Sequence, residues 1–543
     1  MEDLTFNDEI NYLSADKIDG FKESLGSGKK VKSINPSNLE EIAEFELTDI
    51  TKIGKLIRRS NDAFNIWSKF NYDQRAESCE NLRKIIVENA EDIAKIISQD
   101  TGKPILEALV FEVYPAIEII KFYAKNTKKI LKTKRINIGI FKYFGRSSSI
   151  AYDPYGSIAI FSAINFPFIG IICQAIPALM AGNSVIHKPG SPTFYTAFET
   201  EKLFLKANFC ENVFQTLYGK SSEGLRLIEQ GNVSKLFYAG NADFGKKLMK
   251  ACAENVIPVN VQFGGKDPAI VLDDANIKHA AAGITWGALT NSGQVCASIE
   301  RVYVHDSVAE KFTNEVLKIV SKLKQGNPLD SDTDLGPMMS DFQINHVKEH
   351  IKDAKNNNAE FLSGGEENKD LEGYYYLPTV LQKVYKQFKC INEKTHGPLI
   401  PIMTFSSEDE VIKKANNSKY GLSASIWTKN INRAKSIGSR INVHAVMINE
   451  TIYSRGISQV PWGGRKASGY GINHGVRGLL EMVQIKHFHI NYVTLLKNFW
   501  WFKYDTKIFS LFLKFLVNYN GKLMQKLKSY NYLFRLIINR KNW

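Results

Sequence analysis

Short apolar runs alternate with stretches of helix length over much of this chain. Neighbouring parallel strands need a crossover connection, usually a helix, so such an alternation favours a parallel, doubly wound sheet. The pattern recurs after Ala359, and we therefore predict an α/β fold with two doubly wound parallel-sheet domains. The predicted strands are Ser157–Phe161, Ser184–His187, Val256–Phe263, Ala269–Leu272, Arg301–Val304, Thr379–Leu381, Ile400–Phe405 and Val443–Ile448.

The composition excludes several classes of protein. Hydrophobic residues make up 44% and charged residues 23% of the 543 residues, unlike a mostly disordered chain or a polytopic membrane protein. Six cysteines in a chain of this length do not indicate a disulfide framework. The first five residues carry no apolar run, so no signal peptide is expected. These features predict a cytoplasmic protein in a reducing compartment.

The formal net charge of +14 is unevenly distributed. The segment 491–543 contains ten lysines and arginines and one acidic residue, so the rest of the chain is close to neutral. A nearly neutral body gives no reason to expect a nucleic-acid partner. The basic character therefore belongs to a C-terminal tail, which we define as residues 496–543.

Aromatic and basic residues are interleaved in this C-terminal tail. The tail begins with Phe499-Trp500-Trp501-Phe502 and continues into an apolar run, 508–517, that Lys514 interrupts. The run is too short to span ~30 Å of hydrocarbon, but the mixture suits a lipid headgroup interface. We predict peripheral membrane contact. The alternative is a helix packed on the protein's own surface or on a partner subunit.

One cysteine lies in a setting that favours chemistry. Asn291-Ser292-Gly293-Gln294-Val295-Cys296 places a thiol after a glycine-containing loop and shortly before a predicted strand. A loop of this kind can present Cys296 to a cleft as a nucleophile. The alternative is a buried structural cysteine, an interpretation that fits Cys79, Cys173 and Cys252 because these lie among apolar residues.

Further motifs strengthen the first interpretation. They are Phe161-Ser162-Ala163-Ile164-Asn165-Phe166-Pro167, Gly182-Asn183-Ser184-Val185-Ile186-His187-Lys188-Pro189, Gly264-Gly265-Lys266 and Pro461-Trp462-Gly463-Gly464-Arg465-Lys466-Ala467-Ser468-Gly469-Tyr470-Gly471. In this order and spacing, from about Ile34 to about Lys486, the chain resembles the aldehyde dehydrogenase superfamily. The resemblance implies that superfamily's fold, a small-molecule aldehyde as substrate, and NAD or NADP as cofactor. No metal site is predicted.

The resemblance also implies a division into domains. It predicts a cofactor-binding domain (1–131 and 152–262), an oligomerisation arm (132–151 and 483–495), a catalytic domain (263–482) and the C-terminal tail. The strands expected in the arm are Ile140–Phe144, Ser147–Ala151 and Gln484–Ile490. Open sheet edges in such an arm can pair with a second subunit, so a homodimer or homotetramer is expected.

Each site residue takes its role from the matching position in the family motif. Cys296 is the expected nucleophile, and the Asn165 amide and the backbone N–H of Cys296 are the expected oxyanion donors. The remaining predicted contacts are with the cofactor: Lys188 with the adenosine ribose, and Gly240, Asn241 and Gly245 with the pyrophosphate at a helix N-terminus. Ser191 stands where many NAD-preferring members have glutamate, which favours NADP or dual use.

The sequence departs from the family pattern at several positions. Gln262 lies 34 residues before Cys296, where hydrolytic members carry a glutamate base, and an amide cannot accept a proton. Lys394 replaces the glutamate that binds the nicotinamide ribose, and His396 replaces a phenylalanine that borders the nicotinamide. In the substrate tunnel, Ile164 replaces a common tryptophan, and Ala297 and Ser298 indicate a pocket without strong charge.

Three hypotheses therefore stay open. The first is a working aldehyde dehydrogenase with slow or rearranged deacylation. The second is an enzyme that passes the thioester to coenzyme A, since some acylating members lack the glutamate. The third is a catalytically impaired family member that serves a binding role. Intact Cys296, Asn165 and Lys188 argue against the third hypothesis, whereas the joint changes at Gln262, Lys394 and His396 argue for it.

Overall fold

The computed structural model describes residues 25–495, 497–502 and 504–538, without the side chains of residues 140 and 143. The chain forms two compact units. The larger unit comprises 25–130 and Pro154–Val483, and the smaller comprises Leu131–Asp153 and the chain from Gln484 onward.

The larger unit contains a six-stranded sheet. Its strands are parallel except for the first one, which is antiparallel to its neighbour. The side chains of Ser157–Phe161 and Ser184–Lys188 are all buried, as expected for parallel strands covered on both faces. The strand order is Gly469–Tyr470, Val259–Gln262, Lys235–Ala239, Ser157–Phe161, Ser184–Lys188 and Phe214–Thr216.

A seven-stranded sheet follows the same plan. Its first strand pair is antiparallel and all its other neighbours are parallel. The two sheets confirm the predicted α/β fold with parallel sheets. The strand order is Glu360–Ser363, Thr379–Gln382, Leu399–Phe405, Ile299–His305, Asp267–Val271, Ser423–Trp427 and Ala445–Ile448.

The observed strands overlap all eight predicted ones, with differences at their ends. The largest difference concerns the predicted strand Val256–Phe263, which begins only at Val259. Val256 has a left-handed φ of 54°, and Pro258 has no N–H to donate. The chain therefore cannot hydrogen-bond to the neighbouring strand as a regular strand before Val259.

Helices cover both faces of each sheet. Ile53–Trp67, Ser221–Glu229 and Ala242–Glu254 share one apolar core with the six-stranded sheet. Helix Pro167–Ala181 begins with proline and ends at Gly182, whose left-handed φ of 100° stops it. The other helices of this unit are Tyr72–Glu88, Ala90–Thr101, Ile105–Ala108, Tyr114–Ile130, Phe194–Lys206, Ile277–Leu289, Ala309–Val320, Asp341–Asn356, Lys389–Asn392, Glu408–Asn416, Ile431–Ser439 and Gly475–Leu480.

Smaller elements complete the larger unit. Gly26–Ile34 and Glu41–Thr48 form an antiparallel hairpin. Two further antiparallel pairs are Tyr420–Gly421 with Arg465–Lys466 and Trp462–Gly463 with Ile472–Asn473. Leu109–Val113 is a π-helical turn, and the 3₁₀ turns are Ile50–Lys52, Ser191–Thr193, Thr290–Gly293, Asp306–Val308 and Tyr453–Gly456.

The smaller unit contains a three-stranded sheet, ordered Val483–Asn491, Arg146–Pro154 and Lys134–Ile136. Two predicted strands of the arm fall within these bounds, but the predicted strand Ile140–Phe144 is wrong. That segment belongs to a 3₁₀ helix, Gly139–Phe144. Gly139 and Gly145 have left-handed φ angles of 60° and 68°, which turn the chain at both ends of the segment.

The described part of the C-terminal tail contains two helices, Thr506–Tyr519 and Leu523–Ile538, which pack against each other. Asp505 caps the first helix by accepting a hydrogen bond from the Lys507 amide. Within the described residues, no helix combines the length and the apolar character needed to cross a bilayer.

Candidate functional site

The segment around Cys296, residues 290–298, is called the cysteine loop. Asn291, Ser292 and Gly293 have successive left-handed φ angles of 50°, 53° and 75°, a conformation that turns the chain sharply. A Cβ atom on Gly293 would lie 2.1 Å from the carbonyl oxygen of Gly397, so only glycine fits there. The turn leaves Cys296 half-buried and not in a disulfide.

Hydrogen-bond acceptors outside the cysteine loop hold its turn. One carboxylate oxygen of Glu107 accepts from the Thr290 hydroxyl at 2.7 Å, and the other accepts from the Asn291 amide at 2.8 Å. Burial raises the pKa of Glu107 to about 7, although these hydrogen bonds favour its charged form. The Ser292 hydroxyl donates to the carbonyl oxygen of Gly336 at 2.6 Å. The strained backbone is thus fixed by contacts on both sides.

The predicted oxyanion donor Asn165 lies against the cysteine loop. Its Nδ2 donates to the carbonyl oxygen of Gln294 at 2.9 Å, two residues before Cys296. Its own carbonyl oxygen accepts from Lys103 Nζ at 3.0 Å, and Lys103 pairs with the buried carboxylate of Glu112. The structure therefore brings Asn165 and the cysteine loop together from opposite sheets.

The carbonyl oxygens of Val295 and Cys296, which flank the Cys296 nitrogen, also accept hydrogen bonds. The Cys296 carbonyl oxygen accepts from the Gly265 amide at 2.9 Å and from Lys394 Nζ at 3.3 Å. Lys394 Nζ also donates to the carbonyl oxygen of Val295 at 2.9 Å. Of the residues at which the sequence departs from the family pattern, Lys394 thus contacts the cysteine loop directly.

Lys394 takes part in a buried ion-pair network centred on Glu300. Lys266 Nζ and Lys394 Nζ each lie 2.6 Å from a different carboxylate oxygen of Glu300. The backbone amides of Thr395 and His396 donate to the same carboxylate at 2.8 and 3.2 Å. Burial opposes ionisation of Glu300, but the two ammonium groups outweigh it and hold its pKa well below the ordinary value.

His396 is neutral near pH 7. Burial is the main cause that lowers its pKa to about 3, and the ammonium of Lys394 adds to the effect. Its backbone has a left-handed φ of 53°, and its carbonyl oxygen accepts from Gln343 Nε2 at 3.0 Å. The segment from Lys394 to Gly397 is therefore held against the cysteine loop, with a neutral imidazole within it.

Of the predicted cofactor residues, Lys188, Gly240 and Asn241 lie at or just beyond the carboxyl ends of strands in the six-stranded sheet. Phe161 lies in register with both Lys188 and Tyr238, and the next residue after Tyr238 lies in register with Gln262. Lys188 Nζ donates to the carbonyl oxygen of Pro189 at 3.0 Å. Burial lowers the pKa of Lys188 to about 8. This edge of a parallel sheet is where open α/β folds bind their ligands.

The glycine-bounded turn, residues 240–245, directly follows the strand Lys235–Ala239 of this sheet. The Gly240 amide donates to the carbonyl oxygen of Gln262 at 3.1 Å. Asn241 caps helix Ala242–Glu254, because its side chain accepts from the amides two and three residues later. A Cβ atom on Gly245 would lie 2.3 Å from the Phe263 ring, so glycine allows the helix to approach the sheet closely.

The remaining predicted residues have varied surroundings. Gln262 and Ile164 are half-buried, and Ser191 opens a 3₁₀ turn. Ala297 is buried, and the Ser298 hydroxyl donates to the carbonyl oxygens of residues 287 and 288, each at 3.3 Å. The Ser298 hydroxyl therefore stabilises the end of a helix, an arrangement that its predicted place in a substrate tunnel did not anticipate.

Several supporting residues were not identified from the sequence. Glu107, Glu300 and the pair Lys103 and Glu112 orient the cysteine loop and Asn165, yet none belongs to a motif singled out as functional. Lys266 lies within the Gly264-Gly265-Lys266 motif, but no role was predicted for it. A lone acidic residue inside an apolar strand, such as Glu300 in Ile299–His305, is the one signal that could have drawn attention.

Comparisons with known proteins agree with this geometry. The family model described as "Aldehyde dehydrogenase family" matches residues 23–488. The 4,4'-diapolycopene aldehyde oxidase of a Methylomonas species is 33% identical over 488 residues, which cover 90% of this chain and 90% of that protein. A solved E. coli NADP-dependent enzyme has a TM-score of 0.82 at 29% identity, covering 86% of this chain and 95% of its own.

A second solved structure extends the comparison. The NAD⁺ complex of an aldehyde dehydrogenase from Bacillus cereus has a TM-score of 0.82 at 27% identity, covering 88% of this chain and 98% of its own. These similarities confirm the predicted fold class over the body of the chain.

Proposed function

Because the chain belongs to the aldehyde dehydrogenase family, and is thus an enzyme that oxidises an aldehyde with NAD or NADP, we propose that Cys296 is its nucleophile. The observation that carries this proposal is the cysteine loop, in which three left-handed residues precede the half-buried Cys296 and the Gln294 carbonyl binds the Asn165 amide. The Cys296 thiolate attacks the aldehyde carbon, and the carbonyl oxygen becomes the negatively charged oxygen of a thiohemiacetal.

Two N–H groups are positioned to stabilise that oxyanion. The Asn165 side chain has two N–H donors, and the Gln294 carbonyl takes one of them, so the other can serve the oxyanion. The second donor is the backbone N–H of Cys296, whose peptide is fixed at its carbonyl end. Neither group titrates near neutral pH, so both donate throughout the working range.

The carboxyl edge of the six-stranded sheet fits a dinucleotide. The Lys188 ammonium has three donors, and the Pro189 carbonyl occupies one, which leaves donors for ribose hydroxyls. Gly240 and Gly245 let the turn and the following helix pack closely against the rings of Tyr238 and Phe263. A bound NAD or NADP supplies the hydride acceptor for this chemistry. Neutral Ser191 does not repel a 2′-phosphate, which favours NADP or the use of both cofactors.

Gln262 is proposed to orient the hydrolytic water, without accepting its proton. Deacylation should then be slow. We expect a rapid burst of NADH or NADPH followed by a slower steady rate when straight-chain aldehydes from propanal to decanal are assayed without coenzyme A. The matched variant Gln262→Glu should raise the steady rate but leave the burst unchanged, because a carboxylate can act as a general base for hydrolysis.

The same assay with coenzyme A separates the open alternatives. Faster turnover together with acyl-coenzyme A formation would establish the acylating hypothesis. Absence of reduced cofactor with every aldehyde, with NAD or NADP and with or without coenzyme A, would contradict an oxidising role and leave the binding hypothesis.

An apolar aldehyde is the substrate class that we infer. Phe111 lies 5.4 Å from Trp286 and 6.3 Å from Tyr453 between ring centroids, and Trp286 belongs to the helix that leads into the cysteine loop. The relative from Methylomonas is named for the aldehyde of 4,4'-diapolycopene. In the chain-length series, the ratio kcat/KM should therefore rise from propanal to decanal, since each buried methylene adds about 0.8 kcal/mol of apolar transfer energy.

The small sheet is proposed to assemble two or four subunits. Ile485, Phe488 and Ile490 on its strand Val483–Asn491 are exposed, as is Ile136 on the opposite edge strand. Exposed apolar side chains on a sheet with open edges are typical of an interface between copies. Sedimentation velocity should give the mass of a homodimer or homotetramer, and a monomer at micromolar concentration would contradict the role of the arm.

The C-terminal tail is proposed to bind a membrane surface peripherally, which would place a cytoplasmic enzyme next to lipid. Five apolar residues spaced three or four apart on helix Leu523–Ile538 are between 52% and 74% exposed: Leu523, Leu527, Tyr530, Phe534 and Ile538. This spacing forms one stripe along the helix. On helix Thr506–Tyr519, Phe509, Leu513 and Leu516 form a similar exposed stripe.

Charge complementarity favours anionic lipid as the partner of these stripes. Residues 506–543 contain eight lysines and arginines and no acidic residue. Lys526, Lys528 and Arg535 alternate with the apolar residues of the second helix. An apolar stripe flanked by basic residues suits the boundary between headgroups and acyl chains.

A further inference from the structure

The Lys394 ammonium has three acceptors, and two of them belong to the cysteine loop. Nζ lies 2.6 Å from a Glu300 carboxylate oxygen, 2.9 Å from the Val295 carbonyl oxygen and 3.3 Å from the Cys296 carbonyl oxygen. The side chain is 15% exposed. Lys394 is thus a nearly buried cation directed at the backbone around the nucleophile.

Stabilising the buried carboxylate does not by itself require this second lysine. Lys266, whose side chain is 1% exposed, already pairs with Glu300 at 2.6 Å. The Thr395 amide donates to the same carboxylate at 2.8 Å. The contacts that distinguish Lys394 from Lys266 are therefore those with the two peptide carbonyls.

The Val295 carbonyl and the Cys296 N–H are the two ends of one peptide unit. That unit is planar, so a donor that holds the oxygen also fixes the direction of the N–H. A cationic donor on the oxygen also polarises the amide and makes its N–H a stronger donor, because hydrogen bonds in a chain reinforce one another. The next peptide is fixed as well, since the Gly265 amide holds the Cys296 carbonyl at 2.9 Å.

We propose that Lys394 is a positioning residue that orients and polarises the Val295–Cys296 peptide, whose N–H stabilises the oxyanion. The inference rests on the proposed function of Cys296 and adds a role for a residue at which the sequence departs from the family pattern. The glutamate of that pattern would bind the nicotinamide ribose. Here the lysine side chain instead orients the peptide whose N–H stabilises the oxyanion.

Two reagents that modify the same thiol test this role. p-Nitrophenyl acetate acylates a thiolate through a tetrahedral oxyanion and releases p-nitrophenolate, whereas iodoacetamide alkylates it by displacement of iodide without forming an oxyanion. In full-length Lys394→Met, measured in a Cys210→Ala background, acylation of Cys296 should slow about tenfold. Alkylation of Cys296 should stay within about twofold of the parent, since it forms no oxyanion that the Cys296 N–H would stabilise.

The controls separate positioning from a general loss of structure. Lys394→Arg keeps a cationic donor and should recover part of the acylation rate, and Lys386→Met replaces an exposed lysine and should change neither rate. An equal fall in both rates, or no change in either, would overturn the inference. Weaker NAD or NADP binding with unchanged acylation would also overturn it. That result would assign Lys394 to binding the nicotinamide ribose. Acylation that persists in Cys296→Ala would instead contradict the proposed function.

Discussion

Replacing Cys296 by alanine should reduce formation of NADH or NADPH to the background rate with every aldehyde. A methyl group cannot form the thiohemiacetal from which hydride is transferred. Four of the other five cysteines are buried, and burial raises the pKa of Cys173, which follows the Asn165 motif, to about 11. Cofactor affinity, measured by calorimetry, should change little, because Lys188, Gly240 and Asn241 lie at the edge of the six-stranded sheet.

The matched control for this variant is Cys210→Ala. Cys210 is the other half-buried cysteine, and it should be dispensable for turnover. Full activity in Cys296→Ala would refute the assignment of the nucleophile. Loss of activity in both variants would indicate a general sensitivity to cysteine replacement.

Buried parallel strands were the part of the fold most accessible to prediction. A strand covered on both faces, such as Ser157–Phe161, is a nearly continuous apolar run. Two strands that escaped prediction have polar residues inside. Lys235 opens the strand Lys235–Ala239 and pairs with Glu481 at 3.0 Å, and Ser425 within Ser423–Trp427 accepts from Trp427 Nε1 at 3.1 Å. Such partners satisfy a polar residue in the core, but no local pattern indicates them.

Some features of the candidate site could likewise be predicted from the sequence, and others could not. The motifs predicted that Cys296 and Asn165 act together, and the structure places the Asn165 amide against the cysteine loop. The role of Lys394 depends on Glu300, a partner far away in sequence, so the sequence alone indicated only that a glutamate for the nicotinamide ribose had been replaced. The Asn241 side chain likewise caps its own helix, since it accepts from two backbone amides at the helix N-terminus where the pyrophosphate was predicted to bind.

The structure also decides where the C-terminal tail should be cut to test membrane binding. The Arg146 guanidinium donates to Asn498, and its central carbon lies 4.4 Å from the centroid of the Trp500 ring. A truncation at residue 496 would remove both partners from a buried arginine and weaken the small sheet. Removing 506–543 instead deletes both tail helices and leaves these contacts in place.

This truncation is expected to leave a folded, active enzyme that no longer sediments with phosphatidylserine vesicles. At ~1 kcal/mol per basic residue near an anionic surface, even partial engagement of the tail gives measurable binding of the full-length chain at low salt. Screening should weaken that binding as salt rises, while the apolar stripes retain part of it. Phosphatidylcholine vesicles, which carry no net charge, should bind the full-length chain less.

A second variant of the full-length chain separates the two contributions. Replacing Leu523, Leu527 and Phe534 by serine keeps every charge but removes the stripe, so binding should persist at low salt and disappear at high salt. Full-length protein that stays in the supernatant at low salt would contradict the membrane proposal. Aggregation of the truncated enzyme, or a change in its sedimentation mass, would show that the helices cover the protein itself or a partner subunit, because their removal would then expose the apolar surface they had covered.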